Sequence, residues 1–460
     1  MKKKILLSIS VILYCIFLLP FFEWDIKVKA VVLLFIIQIL WIGRVFPLAF
    51  SSILLMIMLS FHFFSFEETM SYFGSGIIWL LFATFIISHA FIKTGLASRI
   101  ALKMLRLSSG SGKKLVFISF LIMFVLSVLI PSNVGKGSLI ASVLDSIVTN
   151  LKKISKVTNL SKSLFIGLTY VVALSGSFVA TGASSTIYAY GLLSEITDEM
   201  NYLNWIMLFL PPIFLFIVLL WLLFILIYPP EAIESKVVVN LIDEKMGELG
   251  SITVDEIKVL CIIGLAVILW ITEGFHHFSV PLIALLSASL TVMPVIGIWN
   301  WETARKKVDW DMILFFAGTL MVAKMLIETG AVDWIANVIV LKFTGYSPIL
   351  LLIFMIVVTA LIRIVFVNVL GFLTIMIPIA ITVGNNVTGL TSLEIAMAVF
   401  LTGVPGFLLI TQSPVHLISY SYGHFTEKDL LRFGMFSTII WLLVVLGSVL
   451  FYWNTIITVH

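Results

Sequence analysis

The tetrapeptide IKTG at residues 92–95 recurs as IETG at residues 327–330, which lies 235 residues further along the chain. The dipeptide Asn-Val at residues 133–134 recurs at residues 368–369 with the same offset. The agreement around these matches is patchy, as we expect for an old internal duplication. Two related halves in a hydrophobic chain are typical of a transporter whose binding site lies where the halves meet.

The composition identifies an integral membrane protein. Of the 460 residues, 61% are hydrophobic and only 11% are charged, whereas a soluble chain of this length needs a far more polar surface. Such a chain contains many helical spans, each of about 20 apolar residues. The two cysteines, Cys15 and Cys261, lie inside predicted spans and indicate neither disulfides nor a metal site. The net charge of +4 reflects cytoplasmic lysine and arginine rather than nucleic-acid binding.

The apolar runs predict an all-α polytopic membrane protein. Eleven transmembrane helices are expected near residues 5–22, 29–44, 46–64, 76–93, 163–178, 203–228, 254–272, 278–296, 310–328, 392–410 and 433–453. Two longer stretches, 114–155 and 347–384, are interrupted near their centres, and each is predicted to be a re-entrant hairpin. Residues 183–192 and the stretch around Pro405 and Pro414 predict two more helices that unwind partway. Irregular backbone at membrane depth is tolerated only where protein or a water-filled cavity supplies hydrogen-bond partners.

The loop charges predict the orientation in a cell membrane. Eleven spans place Lys152, Lys153 and Arg305 on the inner side and Glu67 and Glu68 on the outer side. The amino terminus is therefore expected in the cytoplasm and the carboxyl terminus outside. After the first helix each half contains five spans, an odd number, so the second half is expected to be an inverted repeat of the first. The predicted divisions are a first helix and outer loop (1–28), a first half (29–228), a cytoplasmic linker (229–257) and a second half (258–460).

The tip of the first hairpin contains groups that suit an anion. Ser132, Asn133 and the nearby glycines offer hydroxyl, amide and backbone N–H groups at a helix break. A helix amino terminus adds positive potential to such groups. The alternative is that these residues only form a tight turn. Because polar groups are costly inside a long apolar segment, we favour the functional interpretation.

The chain resembles the divalent anion/sodium symporter family over about residues 30–455. The segments that carry this resemblance are residues 76–79 (GIIW), 92–101 (IKTGLASRIA) and 413–429. Members carry Ser-Asn-Thr at both hairpin tips, where these residues bind substrate carboxylates and help to bind sodium. Here residues 132–134 read Ser-Asn-Val and residues 367–369 read Val-Asn-Val, so both asparagines remain while both threonines and one serine are absent.

The resemblance implies a substrate site built from both tips and both unwound turns. Its expected residues are Ser132, Asn133, Lys136, Ser184, Ser185, Thr186, Asn368, Val369, Ser413, Pro414 and His416. The two asparagines would hydrogen-bond the substrate carboxylates. If the protein is sodium-coupled, the resemblance implies ion ligands at Ser132, Asn133, Gly182 and Asn368. Otherwise we expect no metal and no other cofactor. The resemblance also implies a homodimer in the lipid bilayer.

Two basic residues accompany these motifs, one in each half. Lys136 follows Asn133 at the first tip, and His416 closes the second unwound turn. The alternatives are a lysine that snorkels to the cytoplasm and a histidine that is simply satisfied in the interior. Our hypothesis is that an ammonium and an imidazolium replace two sodium ions and supply the positive charge that a dianion requires. Because fixed charges cannot leave with the substrate, the empty carrier would cross the membrane poorly, which is obligate exchange.

The sequence therefore predicts a secondary active transporter of di- or tricarboxylate anions. We expect sodium-independent exchange by an elevator-type motion, in which a rigid transport unit slides against a scaffold. The alternative is a sodium-coupled symporter of dicarboxylate or sulfate. A cation antiporter would need ionisable acids in its core, and a membrane sensor would need a soluble output domain. Paired hairpin tips suit an occluded site better than a channel pore. No nucleotide loop, metal cluster or nucleophile elbow appears in the sequence, so an enzyme is not expected.

Overall fold

The computed structural model describes residues 2–130, 132–197 and 200–457. Within these ranges the chain is helical and contains no β-strand, as predicted. Five described segments are long and apolar enough to cross a bilayer, namely Gly76–Thr94, Gly112–Leu129, Tyr202–Ile227, Trp310–Glu328 and Glu427–Ile456. Pro131, which precedes the predicted first tip, lies outside the described residues.

The helices follow one another with short connections. The first twelve are α1 (Lys2–Phe17), α2 (Ile26–Ile42), α3 (Leu48–His62), α4 (Phe66–Ser71), α5 (Gly76–Thr94), α6 (Leu96–Arg106), α7 (Gly112–Leu129), α8 (Asn133–Lys152), α9 (Thr158–Ser175), α10 (Ser184–Ser194), α11 (Tyr202–Ile227) and α12 (Ser235–Glu248). The others are α13 (Val254–Ile271), α14 (Glu273–His276), α15 (Val280–Val292), α16 (Trp301–Ala304), α17 (Trp310–Glu328), α18 (Ala331–Phe343), α19 (Pro348–Arg363), α20 (Val369–Asn385), α21 (Ser392–Gly403), α22 (Pro414–Ser421), α23 (Glu427–Gly447) and α24 (Asn454–Ile457).

Both predicted helix–break–helix elements are present. The helix α7 ends at Leu129 and α8 begins at Asn133, while α19 ends at Arg363 and α20 begins at Val369. The two predicted unwound helices also appear, as the pairs α9–α10 and α21–α22. The prediction of a continuous span over 392–410 is wrong, because α21 stops at Gly403. Proline disrupts a helix and disfavours helical geometry in the residue before it, so Pro405 accounts for this early end.

The repeated tetrapeptide forms the same kind of turn in both halves. Gly95 joins α5 to α6 with φ of +83°, and Gly330 joins α17 to α18 with φ of +70°. Side chains disfavour this left-handed region, whereas glycine enters it readily. Both copies of the tetrapeptide therefore end in a glycine that forms a sharp turn between two helices.

The chain divides into two compact units, each made of separate segments. The first unit comprises Met1–Phe82, Asp309–Gly403 and Val449–His460, as far as the structure describes them. Within it α17 packs closely on α3, since a Cβ atom on Gly318 would lie 3.3 Å from Ser52 and Leu55. The second hairpin packs against α21, where a Cβ on Gly403 would lie 2.5 Å from the Phe372 ring. These close approaches define a dense helical core within the unit.

The second unit comprises Ala83–Val308 and Val404–Ser448. Within it α6 packs against the polar segment after residue 229. This segment was predicted as a linker and contains the helix α12. Arg99 on α6 is only 9% exposed, and its Nε donates to Oε1 of Glu256 over 2.7 Å. The same guanidinium donates to backbone carbonyls of residues 249–251. Arg99 thus anchors α6 to the polar segment within the second unit.

Candidate functional site

The predicted site residues fall in both units. The second unit contains nine of them, namely Ser132, Asn133, Lys136, Ser184, Ser185, Thr186, Ser413, Pro414 and His416, together with Gly182. The first unit contains the other two, Asn368 and Val369.

In the second unit, polar atoms converge where α9 ends at Gly176. A Cβ atom on Gly176 would lie 2.7 Å from Oδ1 of Asn133, 3.1 Å from the carbonyl oxygen of Gly182 and 3.1 Å from Nζ of Lys136. Thr186 donates a hydrogen bond of 2.8 Å to the carbonyl of Gly176. We call these five residues the Gly176 corner. It brings the first tip together with the turn between α9 and α10.

Lys136 is fully buried in this corner. Its side chain has 0% exposure, and its Nζ donates a short hydrogen bond to Oγ of Ser127. Ser127 in turn donates to the carbonyl of Met123 over 2.7 Å and lies 3.0 Å from Oγ of Ser175. Lys136 belongs to none of the ion pairs that the described residues form. A buried ammonium without a carboxylate partner is costly, and this lysine does not snorkel to water.

Asn133 presents an unsatisfied acceptor in the same place. Its Oδ1 is buried and has no hydrogen-bond partner among the described residues. A buried polar atom without a partner costs about 1–3 kcal/mol and calls for an explanation. Its neighbours in the Gly176 corner show that the chain holds it beside Lys136 rather than in an apolar void.

Three helices of the second unit begin around this region. Ser132 caps α8 by accepting the N–H of Gly135 over 3.1 Å, and Ser413 caps α22 by accepting the N–H of Val415 over 3.3 Å. The helix α10 begins at Ser184. A Cβ on Gly137 would lie 2.9 Å from Val415, so the first turns of α8 and α22 touch. Helix amino termini carry positive potential and therefore suit an anion.

His416 lies in the first turn of α22 and is only 1% exposed. Its Nδ1 lies 3.0 Å from the carbonyl oxygen of Leu409. Because a carbonyl only accepts, Nδ1 carries a proton and donates in this contact. Gln412 stabilises the same break, since its Oε1 accepts the N–H groups of Leu408 and Leu409. The ring of His416 is therefore fixed by the irregular segment that follows α21.

In the first unit, the second tip is held differently from the first. Asn368 is the amino-terminal cap of α20, and its Oδ1 accepts the N–H groups of Leu370 and Gly371 over 2.9 and 3.4 Å. Arg363, which is 2% exposed, donates from Nε to the carbonyl of Gly403 over 2.7 Å and from NH1 to the carbonyl of Phe366. These bonds fix the guanidinium of Arg363 inside the first unit.

Comparison with known proteins decides the class of the protein. A family model described as the sodium:sulfate symporter transmembrane region matches residues 2–459.

The chain belongs to this symporter family.

The predicted resemblance is thus confirmed, and the protein is a membrane transporter rather than an enzyme. It is 24% identical to a citrate/succinate antiporter of Escherichia coli (strain K12) over 395 residues, which is 83% of this chain and 80% of that protein. It is 25% identical to an L-tartrate/succinate antiporter of the same strain over 406 residues, which is 84% of this chain and 80% of that protein.

Sequence reasoning missed several residues that shape the candidate site of this symporter-family protein. Ser127 and Ser175 receive no emphasis from any motif, although Ser127 accepts from Nζ of Lys136 and lies 3.0 Å from Oγ of Ser175. Gly176 and Gln412 were also missed, although one shapes the corner and the other holds the break before α22. The sequence signal by which Ser127 could be found is a polar serine inside an otherwise apolar helix.

A separate polar cluster lies at the far end of α8. His424, in the loop between α22 and α23, places Nε2 2.7 Å from Oδ1 of Asp145, and its Nδ1 accepts from Nζ of Lys152 over 2.9 Å. Its ring packs on Phe165 with 4.2 Å between ring centroids. Burial lowers the pKa of His424 below its usual value of 6.5; Asp145 opposes this shift, and Lys152 reinforces it. Asp145 thus pairs with this histidine.

Proposed function

We propose that this transporter exchanges di- or tricarboxylate anions without sodium. The observation that carries the proposal is the fully buried amino group of Lys136, which has no carboxylate partner among the described residues and lies beside the unsatisfied Oδ1 of Asn133. We propose that this group is an ammonium. The names of the two E. coli relatives support the substrate class, since both are antiporters of carboxylates that include succinate.

In this proposal a substrate carboxylate approaches the amino termini of α8, α10 and α22. The ammonium of Lys136 supplies a fixed positive charge, and a protonated His416 supplies a second one. The hydroxyl groups of Ser184, Ser185 and Ser413 are donors for the same anion. Ser132 and Pro414 shape the first turns of the two helices, and Thr186 holds the Gly176 corner. Asn368 and Val369 are proposed substrate contacts at the second tip.

The Gly176 corner fits an ammonium better than a sodium ion. Oδ1 of Asn133 and the carbonyl of Gly182 are the kind of oxygen ligand that a sodium ion takes. However, Nζ of Lys136 also faces this corner. The position that a Cβ atom on Gly176 would take lies 3.1 Å from Nζ of Lys136 and 3.1 Å from the Gly182 carbonyl oxygen. A second cation at this distance from an ammonium is repelled strongly in a medium of low polarity. The ammonium of Lys136 therefore substitutes for a bound sodium ion in this proposal.

Fixed charges make exchange the favoured mode of transport. A dianion neutralises one ammonium and one imidazolium, whereas the empty site retains both charges. Moving that uncompensated charge through a low-dielectric barrier costs roughly several kcal/mol per ion. The loaded carrier is thus expected to cross faster than the empty carrier, by an elevator-type motion in which the site moves with the transport unit.

The wider architecture remains part of the proposal. We propose eleven transmembrane helices and two re-entrant hairpins in an inverted repeat, with the divisions at residues 28, 228 and 257. The matching left-handed turns at Gly95 and Gly330 support the duplication. We also propose a homodimer in the cell membrane, with the amino terminus in the cytoplasm and the carboxyl terminus outside.

Transport by the reconstituted full chain tests the proposal. We expect labelled succinate to enter proteoliposomes preloaded with succinate at least about tenfold faster than empty ones, because the empty carrier crosses slowly. The rate is expected to be the same with sodium or with potassium on both sides. Equal uptake by empty vesicles, driven by a sodium gradient, would instead support a sodium-coupled symporter and overturn the proposal.

A further inference from the structure

One histidine docks the loop between α22 and α23 on two helices of the second unit. The side chain of His424 is 3% exposed, with Nε2 of its ring 2.7 Å from Oδ1 of Asp145 and Nδ1 2.9 Å from Nζ of Lys152. Asp145 and Lys152 are seven residues apart, which is about two helical turns, so both lie on one face of α8. The same ring packs on Phe165 of α9. His424 therefore attaches this loop to α8 and to α9.

These contacts require the neutral form of His424. Because a lysine ammonium only donates hydrogen bonds, Nδ1 of the ring must accept the bond from Lys152. The proton of the ring is then on Nε2, which donates to Asp145. A proton added to Nδ1 would remove the acceptor and bring two positive charges together across this contact. Lys152 is exposed and can turn into water, whereas the buried ring of His424 cannot reach water while the loop stays docked.

The surroundings of the ring decide which protonation state the docked loop prefers. Asp145 favours the protonated ring, whereas burial and Lys152 oppose it, and the pKa of His424 is on balance lowered below 6.5. A proton therefore binds more weakly to the docked loop than to a loop in water. By linkage, the docked state is favoured above pH 6.5 and is lost as the pH falls through the lowered pKa.

No other charged group acts on this ring among the described residues. The helix α22 contributes His416, whose Nδ1 faces the carbonyl oxygen of Leu409 instead. The other charged residues of α9 and of the first turn of α23 are exposed or paired with each other, namely Lys162, Glu427, Lys428 and Asp429. The response of the loop to acid therefore depends on His424, Asp145 and Lys152.

The docked loop directly follows α22, the eight-residue helix that begins at the candidate site. Near its start α22 touches α8, where a Cβ on Gly137 would lie 2.9 Å from Val415. Further along, Ser419 donates to the carbonyl of Phe165 over 2.8 Å. His424 attaches the far end of the helix. Release of the loop would leave α22 held at two points instead of three, and polar groups of a binding site depend on such support for their position.

We propose that His424 is a positioning residue for transport: while neutral it holds α22 on α8 and α9, and when it takes up a proton it releases the loop and loosens the first turn of α22. Acid then weakens substrate binding. This effect on the substrate rests on the proposed function, whereas release of the loop does not.

Two substitutions separate the charge of His424 from its structural role. In His424→Gln the amide can donate to Asp145 and accept from Lys152, so the loop stays docked when the pH falls. In His424→Ala both bonds are lost, so the loop is released at neutral pH as well. His277→Gln is the matched control, because His277 is exposed and its loss should leave the pH profile of the wild type unchanged. Succinate exchange by the full chain is measured in proteoliposomes at about pH 7.5 and about pH 5.5, on either side of the histidine range.

At the higher pH we expect the wild type and His424→Gln to have the same KM for succinate. At the lower pH the KM of the wild type should exceed that of His424→Gln at least about threefold. His424→Ala should have a raised KM at both pH values. Protonation of succinate and of His416 affects every variant, so the ratio of two KM values isolates His424. An equal ratio of wild type to His424→Gln at both pH values would overturn the proposal, because His424 would then be structural only. If His424→Ala does not fold, this ratio decides the result alone.

Amide hydrogen exchange gives a second readout that needs no substrate. After correction for intrinsic exchange rates, protection of residues 414–426 should fall between about pH 7.5 and about pH 5.5 in the wild type and stay constant in His424→Gln. Equal protection profiles of the two proteins would overturn the release of the loop. A wild type that exchanges no carboxylate at either pH would overturn the proposed function, and hydrogen exchange would then decide the release of the loop by itself.

Discussion

Replacing Lys136 by methionine tests the fixed-charge mechanism most directly. Methionine keeps the length and the apolar stem of the side chain and removes only the charged donor. Ser127 still donates to the carbonyl of Met123, so the substitution leaves no new buried donor unsatisfied. We therefore expect the substrate-free protein to be at least as stable as the wild type, because an uncompensated buried charge is gone.

The effect on substrate binding follows from the loss of one charged hydrogen bond. Such a bond contributes up to about 3 kcal/mol, which corresponds to a Kd about 100-fold weaker. At a succinate concentration of about 100 times the wild-type Kd, binding stabilises the wild type by about 2.7 kcal/mol. The same concentration equals the Kd of the Lys136→Met variant, so the stabilisation falls to about 0.4 kcal/mol.

Thermal unfolding of the purified protein, with and without succinate, measures both quantities. Lys324→Met is the matched control, because Lys324 is exposed and pairs with Glu328 over 2.9 Å. In proteoliposomes, uptake by empty vesicles should rise towards that by preloaded vesicles. Full retention of the succinate-induced shift in Lys136→Met would refute the reasoning. A marked loss of stability in its substrate-free form would refute it too, because the lysine would then have a structural role.

Three further predictions concern packing, a buried cation and pH. Gly176→Ala should destabilise the protein by about 1–3 kcal/mol and raise KM, because its Cβ would lie 2.7 Å from Oδ1 of Asn133; thermal unfolding and exchange assays measure the two effects. Arg363→Lys should lower the free energy of unfolding by about 1.5–3 kcal/mol, because a single ammonium cannot reproduce the paired bonds of a guanidinium to two carbonyl groups; unfolding in denaturing detergent measures this. The pKa of His424 is lowered in the folded state, so the stability that its neutral form contributes is present above pH 6.5 and is lost as the pH falls through the folded pKa. His424→Gln should therefore weaken the dependence of the melting temperature on pH below 6.5.

Each of these predictions has its own control and contrary result. Gly264 lies in the middle of α13 with open space around it, so Gly264→Ala should stabilise the protein slightly. Equal effects of the two alanines would contradict the crowding at Gly176. Arg305→Lys, at an exposed arginine, should be close to neutral. For His424, parallel pH profiles of variant and wild type would show that another group dominates acid unfolding.

Much of the fold follows from local sequence patterns. Long apolar runs predict helices, because every backbone group inside a bilayer must find a partner within its own segment. Polar and glycine-containing interruptions at residues 132–137 and 368–371 mark the hairpin breaks, and Pro405 marks the end of α21. The left-handed turns at Gly95 and Gly330 also follow from local sequence, because a glycine at that position is enough to allow the positive φ angle.

The two tips differ in a way that the sequence does not show. Asn133 and Asn368 occupy matching positions of the repeat, and the sequence gives them the same role. In the structure Asn133 leaves its Oδ1 without a partner, whereas Asn368 uses the same atom to cap α20. The difference arises because Ser132 caps the first tip, while a valine stands at position 367.

The sequence alone determined that this protein is helical, where its helices break and that a lysine and a histidine accompany those breaks. Only the tertiary structure decided which atoms surround them. Ser127 and Ser175 are 48 residues apart and meet beside Lys136, and His424 meets Asp145 although 279 residues separate them. The reason is physical: helix propensity and turn chemistry act over a few residues, whereas the neighbours of a buried polar group are set by the packing of helices far apart in the chain.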